Sequence, residues 1–199
     1  MSLPMNKGDK LPLEKGAFTG NKYYVGCGWD QASSGPEIDV DLFVVELDKN
    51  GAFTGGIDAI AYYNSQTTLS GSVKLSDDNR DGEGDGDDEF AQIDLDKVPA
   101  DVSALAVCLN IYQGSTKGQN FGQMSELFAR LVRGDNENGE QVAGLTLSPS
   151  QISAEATGME YVRFVRSGAG WDFVARGQIL GTPDQGSDIN QAAGLLTSI

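Results

Sequence analysis

The sequence predicts an all-β protein, an antiparallel β-sandwich of two sheets with a few short helices and long acidic loops. Three observations predict this class. Short apolar stretches alternate with polar residues at a period of two, turn-forming residues separate them about every ten residues, and no internal repeat of fixed period is present. At 199 residues the chain suits one domain, or one large domain with a tail.

The candidate strands run along most of the chain. In the first, Tyr23, Val25, Cys27 and Trp29 share one face and indicate a half-buried strand. A turn of the Asn-Gly type at 48–51 leads towards another strand. The remaining candidates are residues 38–47, 57–63, 90–95, 105–112 and 128–133, and a hairpin of 161–165 with 171–175. A domain over residues 5–180 followed by a loosely packed polar tail over 181–199 is therefore expected.

Composition excludes several classes of function. The net charge of −15 and pI near 4.2 argue against binding to nucleic acid, which requires clustered Lys and Arg. No apolar run approaches the ~20 residues of a membrane span, so direct membrane insertion is not expected. The chain has no histidine, which excludes His-containing zinc sites and Ser-His-Asp or Cys-His mechanisms. We therefore expect a protein that is not an enzyme.

Cysteine and tryptophan residues have structural interpretations. Cys27 and Cys108 lie inside candidate strands and are expected to be buried thiols in a reducing compartment. Trp29 and Trp171 occupy strand positions and are expected in the core.

Residues 77–89 form the most distinctive segment. They contain eight carboxylates, one arginine and three glycines at alternate positions, which gives a net charge of −7. Charges at this density repel one another and favour disorder unless a cation neutralises them. Carboxylates, an amide side chain and the carbonyls of a glycine-rich turn are the oxygen ligands that Ca²⁺ prefers. A solvated acidic linker is the alternative, and the alternating glycines between candidate strands favour a cation site.

The spacing within this segment resembles the opening of a Ca²⁺ loop. Asp77, Asn79, Asp81 and Gly82 fit the D-x-[DN]-x-[DN]-G pattern. An EF-hand would need a helix on each side and a glutamate at the twelfth position, where this chain has Asp88. Both flanks alternate with a period of two, so the segment is expected to join strands.

A second group of acids lies on the strand side. Asp39 and Asp41 are two residues apart in a candidate strand, so their carboxylates point from the same face. An exposed strand edge would explain them without a ligand. Because Asp30 follows Trp29 and an acidic loop is present elsewhere, a shared cation site is the favoured interpretation. The acidic stretch 135–140 contains Asn-Gly and is expected to be a plain turn.

Five stretches, in this order, resemble the TerD family of tellurium-resistance and stress proteins over about residues 8–180. They are Gly28-Trp29-Asp30, Asp39-Val40-Asp41, the loop 78–89, Val98-Pro99-Ala100-Asp101-Val102 and Gln119-Asn120-Phe121-Gly122-Gln123. The resemblance implies a β-sandwich that binds Ca²⁺ at two neighbouring sites and has no catalytic activity. It also implies cytoplasmic placement and protein partners in a stress-response complex near the membrane.

Carried onto this chain, the resemblance implies ligands from two sides. The strand side would supply Asp30, Asp39 and Asp41, and the loop side would supply Asp78, Asn79, Asp81, Glu83, Asp85, Asp87, Asp88 and Glu89. Asp81 stands where the family commonly has threonine, which adds a charged oxygen to the loop. Two other hypotheses remain: a Ca²⁺-dependent lectin-like or lipid-binding sandwich, and a hydrolase that uses the acids with Mg²⁺ or Mn²⁺.

Overall fold

A computed structural model describes residues 2–14, 20–31, 37–80, 82, 86–148, 151–152, 155–181 and 189–196. In these residues twelve strands form two six-stranded sheets. The strands are β1 (Leu3–Pro4), β2 (Lys10–Leu13), β3 (Lys22–Gln31), β4 (Val40–Asp48), β5 (Ile60–Ala61), β6 (Val73–Leu75), β7 (Glu89–Asp94), β8 (Val102–Ile111), β9 (Met124–Arg133), β10 (Glu140–Leu147), β11 (Gly158–Ser167) and β12 (Gly170–Ile179). Two short α-helices, α1 (Gly114–Lys117) and α2 (Ile189–Gly194), and 3₁₀ turns at Ile57–Ala59 and Phe121–Gln123 complete the described elements.

The predicted antiparallel sandwich is confirmed. The first sheet has the order β1-β10-β9-β3-β7-β6, and the second has the order β2-β12-β11-β8-β4-β5. Neighbouring strands are antiparallel, except that β1 runs parallel to β10. The acidic loop connects β6 to β7, so it joins strands as expected.

The main core lies between the two sheets. Alternate residues of β3 point into it, and Trp29 and Trp171 are both buried there, as predicted. Cys27 and Cys108 are free, buried thiols, also as predicted. The other face of β3 is covered as well, because every residue from Tyr23 to Trp29 is buried. The half-buried strand predicted there is therefore buried on both faces.

A second apolar cluster lies on the outer face of the second sheet. Phe43 and Val45 of β4 and Ala106 of β8 project there. Helix α2 covers them with two fully buried alanines, Ala192 and Ala193. The expectation of a loosely packed tail is thus wrong for residues 189–196. Strands β4 and β8 carry apolar residues on both faces. Because their outer face would otherwise expose apolar side chains to water, another element has to pack on it.

Other differences are local. The turn at 48–51 forms with Gly51 at φ 73°, but the chain leaves it without a paired return strand. The strand expected at 57–63 is reduced to β5, preceded by a 3₁₀ turn. Strand β10 was not predicted, and residues 134–139 form the turn between β9 and β10 that the Asn-Gly signal indicated.

No helix in the described part of the chain is long and apolar enough to cross a membrane.

The packing of α2 is testable by placing a charge beneath it. We expect Ala193→Asp to lower the free energy of unfolding by about 2 kcal/mol or more, because it buries a carboxylate in an apolar cluster. The matched control is Gln191→Asp, on the exposed side of the same helix, which should change stability by less than about 0.5 kcal/mol. Urea unfolding compares the two, and equal stabilities would show that α2 does not pack on the sheet.

Candidate metal centre

Three carboxylates meet where the start of β4 approaches the acidic loop. Oxygen atoms of Asp39, Asp41 and Asp78 lie within 4.8 Å of one another. Asp39 and Asp41 belong to the second sheet, whereas Asp78 belongs to the loop between β6 and β7 of the first sheet. Ligands on opposite sides of one Ca²⁺ ion are about 4.6–5.2 Å apart, since each Ca–O distance is about 2.3–2.6 Å. The spacing of these oxygens is therefore compatible with one shared ion.

The start of β4 is held in place from one side and open on the other. Tyr112 donates its backbone N–H to the carbonyl of Asp39 at 2.9 Å, and Asp41 lies opposite Asn110 of β8. Strand β5 pairs with β4 only at Val44 and Val45, so the beginning of β4 is a sheet edge. This edge is where the loop from the other sheet approaches.

Glu89 connects the two sheets at this edge. Its Oε2 accepts a hydrogen bond from the backbone N–H of Leu42 at 2.7 Å, and its Oε1 accepts one from Asn79 N–H at 3.2 Å. The carboxylate is buried. Burial raises the pKa of Glu89 to about 8, although both backbone donors act in the opposite direction. Glu89 thus anchors the loop to β4 beside the three aspartates.

The electrostatics of the three aspartates favour a cation. Burial, followed by the neighbouring charges of Asp39 and Asp78, raises the pKa of Asp41 to about 7. Burial and then Asp78 also raise the pKa of Asp39. The Oδ1 atom of Asp39 is buried and has no hydrogen-bond partner in the described structure. A hard cation would satisfy this oxygen and offset the repulsion, so the donor set fits Ca²⁺.

Asn79 closes a turn of the loop directly after Asp78. The Oδ1 of Asn79 accepts the backbone N–H of Gly82 at 3.0 Å, which closes a short turn. Gly82 has φ 61°, a conformation that favours glycine. Its Cα lies against the Trp29 indole, where an added Cβ would be 2.5 Å from Nε1. Arg80 forms an ion pair with Asp78 at 2.8 Å and is largely exposed.

Asp87 has a different set of partners from the one expected. Its carboxylate accepts hydrogen bonds from the Arg130 guanidinium at 2.7 and 2.8 Å and from the Tyr24 hydroxyl at 2.7 Å. The group is almost fully buried on the outer face of the first sheet. The Arg130 guanidinium already balances the charge of this carboxylate, so we infer that Asp87 has a structural role as an ion pair, and the metal-ligand role expected of it stays a prediction.

Two glycines of β3 allow this close approach. A Cβ at Gly26 would lie 2.1 Å from the Asp87 carboxylate, and a Cβ at Gly28 would lie 2.7 Å from the Gly86 carbonyl. Sequence reasoning did not identify Arg130 and Tyr24 as partners of the loop. The alternation of glycine with buried residues at 26 and 28 was the available signal, because it indicates a strand face that another backbone covers.

The remaining predicted ligands lie in several places. Asp88 Oδ2 accepts the backbone N–H of Trp29 at 2.8 Å, which ties the end of the loop to β3. Asp30 is exposed near the end of β3 and is not part of the group of three. Asp81, Glu83 and Asp85 lie outside the described residues. Ca²⁺ binding, at one site or at two, therefore stays a prediction.

Comparisons with known proteins agree on one family. The TerD domain matches residues 1–183. The tellurium resistance protein TerD of Serratia marcescens is 38% identical over 179 residues, which cover 89% of this chain and 91% of that protein. The stress response protein SCP2 of Bacillus subtilis (strain 168) is 36% identical over 196 residues, with 92% and 94% covered. A crystal structure of a TerD homologue from Streptomyces coelicolor A3(2) has a TM-score of 0.62 at 20% identity, covers 87% of this chain and 95% of its own, and supports the fold.

The raised pKa values predict how stability depends on pH without metal. Asp41 and Glu89 have folded pKa values above their ordinary ones, so they stabilise the fold at low pH and lose that contribution as pH rises through about 7 and 8. In chelator, the free energy of unfolding should fall by at least about 1 kcal/mol between pH 5.5 and 8.5. The Asp41→Asn variant should show a smaller fall. Urea unfolding at a series of pH values measures the fall in stability of both proteins. The same dependence of stability on pH in the two proteins would show that the pKa of Asp41 is not raised in the folded state.

The role of Asp87 is separable from metal binding. We expect Asp87→Asn to lower the free energy of unfolding by about 2 kcal/mol, because it removes a buried charge from Arg130. The Ca²⁺ dissociation constant should stay within about threefold of the original. Asp135→Asn, which removes an exposed partner of Lys22, is the control and should affect neither quantity. An Asp87→Asn variant of normal stability with Ca²⁺ affinity at least about tenfold weaker would place Asp87 among the ligands.

Proposed function

Because the chain belongs to the TerD family of tellurium-resistance and stress-response proteins, we propose that it is a Ca²⁺-binding member without catalytic activity. The observation that carries the proposal is the group of Asp39, Asp41 and Asp78, whose oxygens converge from two sheets. The buried, unpartnered Oδ1 of Asp39 supports it, because such an oxygen is costly unless a cation or donor reaches it.

The residues that would hold the ion have distinct roles. Asp39 and Asp41 would supply charged oxygens from β4, and Asp78 would supply one from the loop. Glu89 would position the loop through its two backbone hydrogen bonds. When bound, Ca²⁺ would supply positive charge and a fixed geometry between these groups, which links the two sheets at the open edge of β4. Asp30, Asp81, Glu83, Asp85 and Asp88 are the candidates for a second ion nearby.

A loop whose arrangement depends on bound Ca²⁺ suits a protein that binds partners. Neutralising part of the loop charge would favour one arrangement of the loop on the sandwich. The Ca²⁺-loaded loop would then present a defined surface to a protein partner in a stress-response complex, in the cytoplasm and near a membrane. The absence of histidine from the chain supports a non-enzymatic role, since the commonest general base is lacking.

Aromatic residues beside the acids support a second candidate, Ca²⁺-dependent ligand recognition. Tyr63 and Tyr112 pack edge to face with ring centroids 6.0 Å apart, and Lys117 lies 4.9 Å from the centroid of the Tyr112 ring. Aromatic and basic groups beside a metal are what a lectin-like or lipid-binding site would use. Glycan-array and liposome binding with and without Ca²⁺ would identify such a function.

Calorimetry of chelator-stripped protein tests the main proposal. We expect Ca²⁺ to bind with micromolar or tighter affinity and Mg²⁺ to bind much more weakly, because a site built from many oxygens at flexible distances favours the larger ion. Asp39→Asn combined with Asp41→Asn should weaken Ca²⁺ binding at least about tenfold. An unchanged Ca²⁺ affinity in this double variant would show that Asp39 and Asp41 are not ligands of a shared Ca²⁺ ion.

Stability measurements distinguish lost ligands from a misfolded variant. The same double variant should be at least as stable as the original protein in chelator, because it removes buried like charges. It should gain no stability from added Ca²⁺, whereas the original protein should. Asp58→Asn with Asp101→Asn removes two exposed acids elsewhere in the chain, and this control should keep the full Ca²⁺ response.

A further inference from the structure

A cavity of about 330 Å³ lies at the end of β4 away from the three aspartates. Asp41 and Asp48 are seven residues apart on this strand, which corresponds to roughly 23 Å. The cavity is lined by four acids, Glu46, Asp48, Asp58 and Asp101. Its apolar wall includes Ala59, Pro99 and Val102. We name it the β4-end pocket, and none of its lining residues is Lys or Arg.

Glu46 is an incompletely partnered carboxylate in this pocket. It is only 8% exposed. Its Oε1 accepts hydrogen bonds from the hydroxyls of Ser70 and Ser72, at 2.5 and 2.8 Å. In the described structure its Oε2 accepts no hydrogen bond and no cation lies within ion-pair distance. Glu46 Oε2 does not belong to the buried atoms that lack a partner, so it is open to solvent, and the pocket is where a cationic ligand could reach it.

A second acid in the pocket is fixed in its charged form. The Asp48 carboxylate accepts backbone N–H groups of Asn50 at 2.8 Å and Ala52 at 3.0 Å, and the hydroxyl of Thr54 at 3.2 Å. These hydrogen bonds lower the pKa of Asp48. The pocket therefore presents a permanent negative charge at neutral pH.

The arrangement of these acids does not suit a metal ion. Across the described residues, one group of three acidic or thiol side chains brings its ligand atoms within 4.8 Å, and no acid of the β4-end pocket belongs to it. Acids spaced around an apolar cavity suit an extended organic cation. A guanidinium carries five N–H donors in a planar fork and can reach more than one carboxylate, whereas an ammonium is a point charge.

The rim of the pocket indicates a macromolecular ligand. Leu69 lines the pocket and is 82% exposed, and Ile57 nearby is 41% exposed. The two segments are joined because Leu69 donates its backbone N–H to the carbonyl of Asp58 at 2.9 Å. Adjacent exposed apolar side chains beside a charged cavity are typical of an interaction surface.

We propose that the β4-end pocket docks an arginine side chain from a partner protein, with an adjacent apolar residue of that partner packed on Leu69. The arginine stem would lie along Ala59, Pro99 and Val102, and its guanidinium would pair with Glu46 Oε2 and the exposed acids Asp58 and Asp101. This surface is separate from the candidate metal centre and does not depend on it.

An NMR titration tests the proposal on the full ¹⁵N-labelled chain in excess Ca²⁺. The probe is a blocked pentapeptide with a central arginine next to a leucine, and its partner peptide has citrulline, which keeps the shape but not the charge. Binding of the arginine peptide should shift amides at residues 46–58, 69–72 and 99–102, and the citrulline peptide should not. Shifts spread evenly over the acidic surface would overturn the proposal, as would no shifts at these positions at millimolar peptide.

Matched variants separate this pocket from the general negative charge. Asp58→Asn combined with Asp101→Asn should weaken binding of the arginine peptide at least about fivefold. Glu137→Gln with Glu155→Gln removes the same charge from exposed positions outside the pocket and should leave the affinity unchanged. An equal loss of affinity for the arginine peptide in both double variants would show that the peptide does not bind in the β4-end pocket.

A third arm tests whether the partner is a protein. Arginine amide alone should bind more weakly than the peptide, and Leu69→Ser should remove that difference. If the amide bound as tightly as the peptide, the pocket would be a site for a small cation and the docking proposal would fail.

Discussion

The burial of like charges at the junction of the two sheets is the constraint on which the candidate site depends. Asp39 and Asp41 approach Asp78 at the open edge of β4, and Glu89 lies buried beside them. Their pKa values are raised because this environment opposes ionisation. At neutral pH these carboxyl groups must therefore stay protonated or bind a cation. The net charge of −15 attracts cations strongly and so favours cation binding. Ca²⁺ binding at this place would therefore be coupled to the contact between the two sheets.

The end of the acidic loop is held against β3 by contacts within the protein. Asp87 pairs with Arg130 and Tyr24, Asp88 accepts the N–H of Trp29, and Gly26 and Gly28 leave room for both. These contacts place one end of the loop against β3 without using a metal ligand from outside the chain. Preorganisation of this kind lowers the entropy lost on binding. Within the described part of the loop, Asp87 and Asp88 therefore anchor its end to β3, whereas Asp78 faces the candidate metal centre.

Sequence patterns were sufficient where the cause was local. The period of two placed Asp39 and Asp41 on one face, and strand alternation on both flanks excluded an EF-hand. The pairing of Asp87 with Arg130 could not be predicted, because the two residues lie 43 positions apart in the sequence. Nothing in the sequence distinguishes Arg130 from other basic residues as the partner of Asp87. Strand β10 was missed because only Ala143, Leu145 and Leu147 alternate with less buried residues, and a register shift between Gln141 and Ala143 breaks the pattern at its start. The polar composition of the tail concealed α2, although the two-sided apolar pattern of residues 105–112 already required a cover.

Anomalous scattering from crystals grown with Ca²⁺ would show directly whether an ion joins the two sheets. We predict an ion coordinated by oxygens of Asp39, Asp41 and Asp78 at about 2.3–2.6 Å, with Glu89 still accepting the hydrogen bond from the N–H of Leu42. An ion bound only by loop residues, with Asp39 and Asp41 turned away from it, would show that Ca²⁺ does not join the two sheets.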